Sequence, residues 1–420
     1  MSAPPYTTTR LIRISADEGF DPARRWPVAT EFGVTHILAD LARQAAHRDA
    51  TRESPAGDVR RLQQAGVPAL RLPTELGGRG IPLARLFAFA AELADADPSV
   101  AHALRNHFWF VEQALRSAPD SPRRAYLARV ADGDLIGGSF GELHTSKAGD
   151  TDFSTTLAPH GDGSGTYVLN GDKFYSTGNI FCDVLIVKAV YPDGTPVTAA
   201  VPATRAGVDL TDDWDGIGQR LTGSGSTRFR DVTVHPHEVV PDDEFAHEKG
   251  SYTATFPQLY LTTVVAGILR TITADAVELV RGRRRNYYHG SSDEPRHEPA
   301  VQSIVGQISV NSHAADAIVA SAAQSLERAR DTEGPARDEA LLQASLDAAR
   351  AKISVDELAA RTGWLLFETG GATSVRTGLN LDRHWRNART LASHNPDSYK
   401  LRYLGDHLLN GATPPTGSFF

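Results

Sequence analysis

The first third of the chain carries hydrophobic residues at the spacing of an α-helix. Two such stripes follow each other between residues 83 and 115, and Asp97-Pro98-Ser99 separates them. Apolar residues three and four positions apart line one face of a helix, and an Asp before a proline is a common helix start. The pattern therefore predicts helices from about residue 30 to residue 130. The stripes consist of Leu83, Leu86, Phe87, Phe89, Ala90 and Leu93, and then of Ala103, Leu104, His107, Phe108, Val111 and Leu115.

Between about residues 133 and 240 the pattern changes to short β-branched or alternating runs. Residues 184–187, 197–201, 227–229 and 232–234 are such runs, with turn-forming residues between them. Asn170-Gly171 stands between residues 166–169 and 173–175, and this dipeptide is a strong hairpin signal. The sequence thus predicts a compact antiparallel β-barrel or sandwich with a hairpin turn at Asn170-Gly171.

From about residue 251 the pattern is helical again. Three apolar stripes cover residues 261–279, 301–308 and 341–358, a loop is expected at 331–337, and a fourth helix at about 397–409. Long helices joined by short loops indicate a four-helix bundle. The predicted fold class is α+β in three domains: a helical domain at 1–132, a β-barrel at 133–245 and a helical bundle at 246–420.

The composition narrows the function classes. The 420 residues carry 43 Lys and Arg against 51 Asp and Glu, a net charge of −8, and an acidic surface disfavours binding to nucleic acid or anionic membranes. Cys182 is the single cysteine, so neither an intrachain disulfide nor a multi-cysteine metal site can form. No apolar run has the length of a membrane span, and residues 1–20 contain no apolar stretch of signal-peptide length. We expect a cytoplasmic protein without a bound metal.

Two polar segments in the second half of the chain are candidates for chemistry. Residues 281–285 contain four arginines at the predicted end of a helix. The helix dipole favours cations there in any protein, and paired arginine donors also suit a phosphate. Residues 382–389 are dense in charge around Trp385, and His394 follows in Ser393-His394-Asn395-Pro396. A solvated loop is the plain interpretation of this second segment, and a ligand site is the functional one.

Three motifs, in this order, resemble the acyl-CoA dehydrogenase superfamily from about residue 50 onward. The motifs are Leu72-Pro73-x-Glu75-x-Gly77-Gly78-x-Gly80, Leu169-Asn170-Gly171-x-Lys173-x-Tyr175-x-Thr177-Gly178 and Gly218-x-Arg220-x-Thr222-x-Ser224-Gly225. The resemblance implies an N-terminal helical domain, a central antiparallel β-barrel and a C-terminal four-helix bundle. It also implies a homotetramer, with flavin bound between the barrel and the C-terminal helices.

The C-terminal segment departs from the dehydrogenases of this superfamily. Their catalytic glutamate commonly follows an Arg-Asp-Ala-Lys-like stretch, whereas here Arg386-Asn387-Ala388-Arg389 leads to His394 with no carboxylate at that place. Removing a proton from carbon needs a base within hydrogen-bond reach. The segment instead resembles the two-component flavin monooxygenases of the superfamily, such as the dibenzothiophene type.

This second resemblance implies a reaction and its participants. A separate flavin reductase would supply reduced FMN, with FAD as the alternative cofactor. O₂ would then react to a C4a-(hydro)peroxyflavin, and one oxygen atom would pass to a small sulfur, nitrogen or aromatic compound. Two other functions stay open: an acyl-CoA dehydrogenase that uses FAD and a relocated catalytic base, and an inactive member of the fold that serves as a scaffold or sensor.

The resemblance also assigns roles to residues. His394 is expected to manage protons, since imidazole titrates near neutrality. Thr177 is expected to face the flavin ring, with Ser176 as its alternative. His107 is expected to wall the substrate pocket, and its alternative is a core histidine. The expected flavin contacts are Ser139, Tyr175, Thr177, Arg220, Ser224, Gly370 and Gly371, together with Arg283 or Arg285 on the phosphate across a subunit interface.

Overall fold

The computed structural model describes residues 21–143, 145, 147, 152–240, 251–417 and 420. In these ranges, helices precede and follow one central sheet, as predicted for an α+β fold. The helices before the sheet are α1 (Pro22–Arg25), α2 (Pro27–Glu31), α3 (Thr35–Thr51), α4 (Ala56–Gln64), α5 (Leu83–Ala96), α6 (Pro98–Ala103), α7 (Arg105–Arg116) and α8 (Pro122–Ala131).

The strands form one mixed sheet. They are β1 (Ile136–Ser139), β2 (Thr156–Pro159), β3 (Tyr167–Lys173), β4 (Val184–Val190), β5 (Pro196–Pro202), β6 (Val208–Thr211), β7 (Ser226–Val234) and β8 (Val239–Val240). Their order is β6-β7-β3-β2-β4-β5-β8, and β1 pairs with β4. Most neighbours are antiparallel, but β1 and β2 run parallel to β4. Within the described residues β6 and β8 do not pair, so closure into a barrel stays a prediction.

The prediction of a hairpin turn at Asn170-Gly171 is wrong. Both residues lie inside β3, which continues past them to pair with β7. The register against β7 shifts between Leu169 and Gly171. Gly171 has a φ of 152°, and a Cβ on it would lie 2.4 Å from the hydroxyl oxygen of Thr155. The glycine therefore permits a β-bulge and a close approach of two segments.

The C-terminal part is built on three long helices and two shorter ones. They are α9 (Tyr252–Gly282), α10 (Pro299–Asp331), α11 (Arg337–Gly370), α12 (Asp382–Ala392) and α13 (Asp397–Asn410). The charged segment around Trp385 is thus the helix α12, and a loop is the wrong interpretation for it. The apolar faces of α5 and α9 share one core that continues into α10 and α11, while the sheet encloses a smaller core of its own.

The division into three domains stays a prediction. The predicted boundary at 132/133 falls between α8 and β1, and the predicted boundary at 245/246 lies outside the described residues. In the described part of the chain, we find no helix with the combined length and apolar character that a bilayer crossing requires.

Candidate active site

Three separate parts of the fold meet where the loop 218–225 enters β7. A Cβ on Gly218 would lie 2.1 Å from the carbonyl oxygen of Arg386 in α12. A Cβ on Gly178, in the loop after β3, would lie 2.2 Å from the carbonyl oxygen of Ala103 in α6. Glycine permits both approaches because it has no side chain. The sheet, α6 and α12 therefore share one junction.

A line of buried hydroxyl groups runs along this junction. Thr222 Oγ1 donates to the carbonyl oxygen of Gln219 at 2.9 Å. Ser224 Oγ lies 2.6 Å from Thr222 Oγ1 and 2.8 Å from Thr177 Oγ1. Each hydroxyl has one proton, so Ser224 donates to Thr222 and Thr177 donates to Ser224. Thr177 keeps lone pairs that can accept a hydrogen bond, and the buried hydroxyl of Ser176 has no partner among the described residues.

His102 offers an unprotonated nitrogen at the same junction. Its Nδ1 donates to Gln219 Oε1 at 3.1 Å, and its buried Nε2 has no partner in the part of the chain that the structure describes. Burial, and then the charge of Arg105, lower the pKa of His102 to about 3, so the ring is neutral. Asn387 Oδ1 holds Gln219 in turn, by accepting from its backbone N–H at 2.6 Å. The position of His102 therefore depends on α12 as well as on α6.

His394 meets Arg105 from the far end of the sequence. Arg105 Nη1 lies 3.3 Å from His394 Nε2, and the imidazole accepts because a guanidinium only donates. His394 as a whole is exposed, but its ring turns inward to the buried Arg105. The protein around the ring, and then the charge of Arg105, lower the pKa of His394 well below its ordinary value. His394 is therefore neutral at pH 7, with its proton on Nδ1.

Aromatic surface lies open beside these polar groups. Tyr175 has a φ of 54° and is 57% exposed, and its ring meets that of Trp214 edge-on at 6.1 Å. A flat apolar face beside buried donors and acceptors suits an isoalloxazine ring. Unpartnered buried polar atoms on His102, Arg105 and Ser176 remain for a ligand to bond within the described residues. The residues present therefore fit a flavin.

His107 has the contacts of the core alternative. The backbone N–H of Ile136 donates to its Nδ1 at 3.1 Å, and its Nε2 donates to the carbonyl oxygen of Pro68 at 2.9 Å. The ring is 1% exposed, and burial lowers its pKa to about 4. With both nitrogens bonded to backbone, His107 has no capacity left for a substrate, and we leave it out of the candidate site.

Ser139 and Arg220 also have structural partners. Ser139 is fully buried, and its Oγ accepts from Asn179 Nδ2 at 2.8 Å, a bond that ties β1 to the loop after β3. Arg220 Nη1 donates to the carbonyl oxygen of Asp49 at 2.7 Å, which ties the loop 218–225 to α3. Both residues border the junction, and their predicted contact with flavin stays a prediction.

The arginines predicted to bind the flavin phosphate lie far from this junction. Arg283 Nη1 donates to the carbonyl oxygen of Thr369 at 2.7 Å, directly before Gly370 and Gly371. Arg285 is exposed. From Tyr260, which packs beside Arg105, to its end α9 advances roughly 33 Å at 1.5 Å per residue. One FMN molecule cannot reach both places within one chain, so Arg283 and Arg285 fit a flavin only if a second copy supplies them.

Asp397, the carboxylate nearest to His394 in sequence, is paired with a lysine that also binds Asp356. Lys352 Nζ lies 2.5 Å from Asp356 Oδ2 and 2.7 Å from Asp397 Oδ1. In the described ranges we find no carboxylate that contacts Arg105 or Thr177. A dehydrogenase would need such a base at the flavin, and this site presents imidazole and guanidinium groups instead.

The sequence carries a local signal for Arg105 but none for His102. No acidic residue occurs between Asp97 and Glu112, so Arg105 has no carboxylate three or four positions away on its own helix. A cation in an apolar helical stretch without such a neighbour requires a distant partner or a ligand. His102 and Gln219 are recognised as site residues by their contact in the structure, which joins positions far apart in the chain.

Two family profiles match the chain. The acyl-CoA dehydrogenase C-terminal domain matches residues 259–397, and the acyl-CoA dehydrogenase N-terminal domain matches residues 31–134. The chain belongs to the acyl-CoA dehydrogenase family. Both matches cover helical parts of the fold, and the residues of the junction come from within them and from the sheet between them.

Within the acyl-CoA dehydrogenase family, this chain is similar to monooxygenases. A dibenzothiophene monooxygenase of Rhodococcus qingshengii is 31% identical over 412 residues, which cover 94% of this chain and 96% of the relative. The probable FMNH2-dependent monooxygenase SfnC of Pseudomonas putida is 27% identical over 382 residues, which cover 90% of this chain and 94% of the relative.

Solved structures agree with these relatives. FMN-bound TdsC from Paenibacillus sp. A11-2 superposes with a TM-score of 0.84 at 27% identity, over 94% of this chain and 100% of that one. Methanesulfinate monooxygenase MsuC from Pseudomonas fluorescens superposes with a TM-score of 0.83 at 28% identity, over 94% and 99% of the two chains. The predicted fold, helical at both ends with a central sheet, is confirmed.

Proposed function

We propose that this protein is the oxygenase component of a two-component flavin-dependent monooxygenase, which uses reduced FMN and O₂ to oxygenate a small sulfur compound. One observation carries the proposal: the group that meets the site from the segment after α12 is the neutral imidazole of His394, held by Arg105 at 3.3 Å. A base for α,β-desaturation would be a carboxylate at that place.

The relatives support the same class of reaction. The relatives are named for dibenzothiophene, methanesulfinate and FMNH2, and the TdsC structure holds FMN. A sulfur atom with a lone pair is a nucleophile in both of the named substrates. FMN is therefore the cofactor that we propose, and a separate flavin reductase is its source.

The residues of the junction have distinct tasks in this proposal. Reduced FMN, when bound, supplies the electrons that activate O₂ for the transfer of one oxygen atom. Tyr175 and Trp214 offer the flat surface for the ring, and Thr177, with its lone pairs oriented by Ser224, would accept a hydrogen bond from reduced FMN when it is bound. His394 passes a proton through Nδ1, because its Nε2 accepts from Arg105.

The test is an isotope experiment with purified protein. FMN is reduced in the reaction by a flavin reductase and NADH, under oxygen-18 gas, with dibenzothiophene and methanesulfinate offered separately. We expect one oxygen-18 atom per product molecule by mass spectrometry, and none when the reductase or the protein is omitted. Absence of label with both substrates, together with bleaching of bound FAD by an acyl-CoA, contradicts the proposal and supports a dehydrogenase.

We also propose a homotetramer in which one copy supplies Arg283 or Arg285 to the flavin phosphate of another. Arg285→Ala should weaken FMN binding by about 1.5–3 kcal/mol, the range for a hydrogen bond to a charged group. Fluorescence titration of FMN measures this loss. The matched control is Arg296→Ala, which removes another arginine with a mostly exposed side chain. Equal affinities of the two variants would exclude Arg285 from the phosphate site.

A further inference from the structure

Arg105 is a buried cation without a counter-ion in the described part of the chain. Arg105 is 9% exposed, its Nε is buried without a hydrogen-bond partner in the described residues, and its Nη1 contacts the neutral ring of His394. The acidic group beside it is the phenol of Tyr260, which donates to the carbonyl oxygen of Ala101 at 3.1 Å. Burial raises the pKa of Tyr260 far above the physiological range, so Tyr260 carries no charge.

Other buried arginines of this protein are paired. Arg48 Nη2 lies 2.6 Å from Asp58 Oδ2, and Arg71 Nε lies 2.6 Å from Glu112 Oε1. Arg383 Nη2 lies 2.7 Å from an oxygen of Asp275. An unpaired buried charge costs several kcal/mol, and proteins pair such charges or neutralise them. Burial lowers the pKa of Arg105 to about 10, so the group remains charged at neutral pH and retains the need for an anion.

The charges that act on the neighbouring His394 ring are positive rather than negative. Lys352 and Lys400 lie close enough to His394 for their charges to lower its pKa, along with Arg105. Lys352 is already paired with Asp356 and Asp397. A small anion beside Arg105 and His394 would therefore be stabilised by these charges, whereas a neutral molecule would leave the guanidinium unpaired.

We propose that Arg105 binds the negative charge of the substrate and that the substrate is a small organic sulfinate, R–SO₂⁻. This inference rests on the proposed monooxygenase function and specifies its substrate class. A sulfinate combines the two properties that the site requires. Its two oxygens carry the charge and match the paired donors of a guanidinium, while its sulfur keeps a lone pair that attacks an electrophilic oxygen.

The reaction balances with the co-reactants of the proposed function. R–SO₂⁻, O₂ and FMNH2 give R–SO₃⁻, FMN and H₂O. A new S–O bond forms and the O–O bond breaks. Sulfur loses two electrons, the flavin loses two electrons with its two hydrogens, and the second oxygen atom leaves as water. The charge on the substrate is the same before and after, so Arg105 stabilises substrate and product alike.

Binding to the flavin-free protein tests the inference without any turnover. Methanesulfonate mimics the anionic product, and dimethyl sulfone is a neutral molecule of nearly the same shape. In an NMR titration we expect the wild type to bind methanesulfonate about tenfold or more tighter than dimethyl sulfone, since charge-assisted bonds to guanidinium are the strong ones. Equal affinity for the two molecules overturns the inference, whether or not the variants fold.

Variants test whether Arg105 causes the preference for methanesulfonate over dimethyl sulfone. Arg105→Gln should remove the preference for methanesulfonate, and Arg105→Lys should retain part of it, because lysine keeps the charge but not the paired donors. Arg230→Gln removes one charge from an exposed arginine paired with Asp172 and should leave the preference unchanged. A preference that survives in Arg105→Gln assigns the anion site to other cations and overturns the inference.

Flavin binding is measured as well, because Arg105 could bind either the substrate anion or reduced FMN. The affinities of wild type and Arg105→Gln for reduced and oxidised FMN are measured under anaerobic conditions. If the substitution lowers the affinity for reduced FMN about tenfold and leaves methanesulfonate binding intact, the arginine binds the cofactor and the substrate assignment is wrong. Failure of the proposed function is a different result: no oxygen-18 enters methanesulfinate, although the flavin-free protein still prefers the anion.

Discussion

His107 and the pair formed by His102 and Arg105 lie within six positions of one another, yet their polar atoms are used in opposite ways. His107 has both ring nitrogens bonded to backbone groups of β1 and of the segment before α5. His102 and Arg105 are also buried, but each keeps a nitrogen without a partner in the described residues. His107 therefore joins elements of the fold, whereas His102 and Arg105 keep polar atoms that are available to a ligand.

The difference follows from the cost of burying polar groups. A buried donor or acceptor without a partner costs about 1–3 kcal/mol, and native structures contain few of them. When several occur in one junction, beside exposed aromatic surface, they mark a site that a ligand completes. The hydrogen bonds of His107 therefore distinguish it from His102, whereas its place in an aromatic helix does not.

The largest effect is expected for His107→Ala, as a loss of stability. The change removes a buried ring and leaves the Ile136 N–H and the Pro68 carbonyl oxygen unpaired. The free energy of unfolding should fall by about 3–5 kcal/mol, as for other large buried side chains, measured by denaturant titration. His47→Ala is the matched control, because that side chain is half exposed. A similar small loss in both variants would contradict the core role of His107.

His394→Ala should act on the reaction rather than on the fold. We expect the rate of product formation to fall roughly 100-fold, the lower range for loss of a general acid or base, with FMN affinity within about twofold of wild type. Product analysis and a flavin titration measure the two quantities. Unchanged product yield would remove His394 from the mechanism and would weaken the contrast between the two kinds of histidine.

The pH dependence of stability sharpens the comparison. The pKa of His107 is lowered to about 4 in the folded protein, against about 6.5 in an unfolded chain. Below pH 6.5 the unfolded chain binds more protons, so stability is complete above that pH and falls on acidification. The titration of His107 alone should lower the free energy of unfolding by about 2 kcal/mol between pH 7 and pH 5.

The matched pair for this measurement is His107→Gln and His36→Gln. His36 is exposed, so its substitution should leave the acid-induced loss of unfolding free energy unchanged, whereas His107→Gln should reduce that loss. Equal losses at pH 5 in both variants would mean that burial of His107 does not control the titration.

The smallest effect is expected for Ser224→Ala, which breaks the line of hydroxyls. Thr177 then loses its closer acceptor and is left with the carbonyl oxygen of Tyr175 at 3.5 Å, so its lone pairs are no longer oriented for an N–H of reduced flavin. The preference for reduced over oxidised FMN should fall by about 1 kcal/mol, the net value of one hydrogen bond. Ser226→Ala on the exposed side of β7, whose hydroxyl bonds Asp213, is the control. A preference that stays constant would separate Thr177 from the flavin ring.

Much of the fold could be predicted from the sequence. The stripe from Leu83 to Leu93 became α5, and the loop at 331–337 lies where α10 ends and α11 begins. The hairpin at Asn170-Gly171 failed because a dipeptide that suits a turn also suits a bulge, and only the neighbouring strand decides between them. The order of the motifs led to the right family, since they report local segments that the family shares.

What the sequence alone determined is local: the periods of helix and strand, the absence of a carboxylate between Arg389 and Pro396, and the lack of an acid near Arg105. The tertiary structure decided which groups meet. His102 bonds a residue 117 positions away, and Arg105 meets one 289 positions away. Whether a buried polar atom is satisfied depends on such distant partners, and no local pattern contains that information.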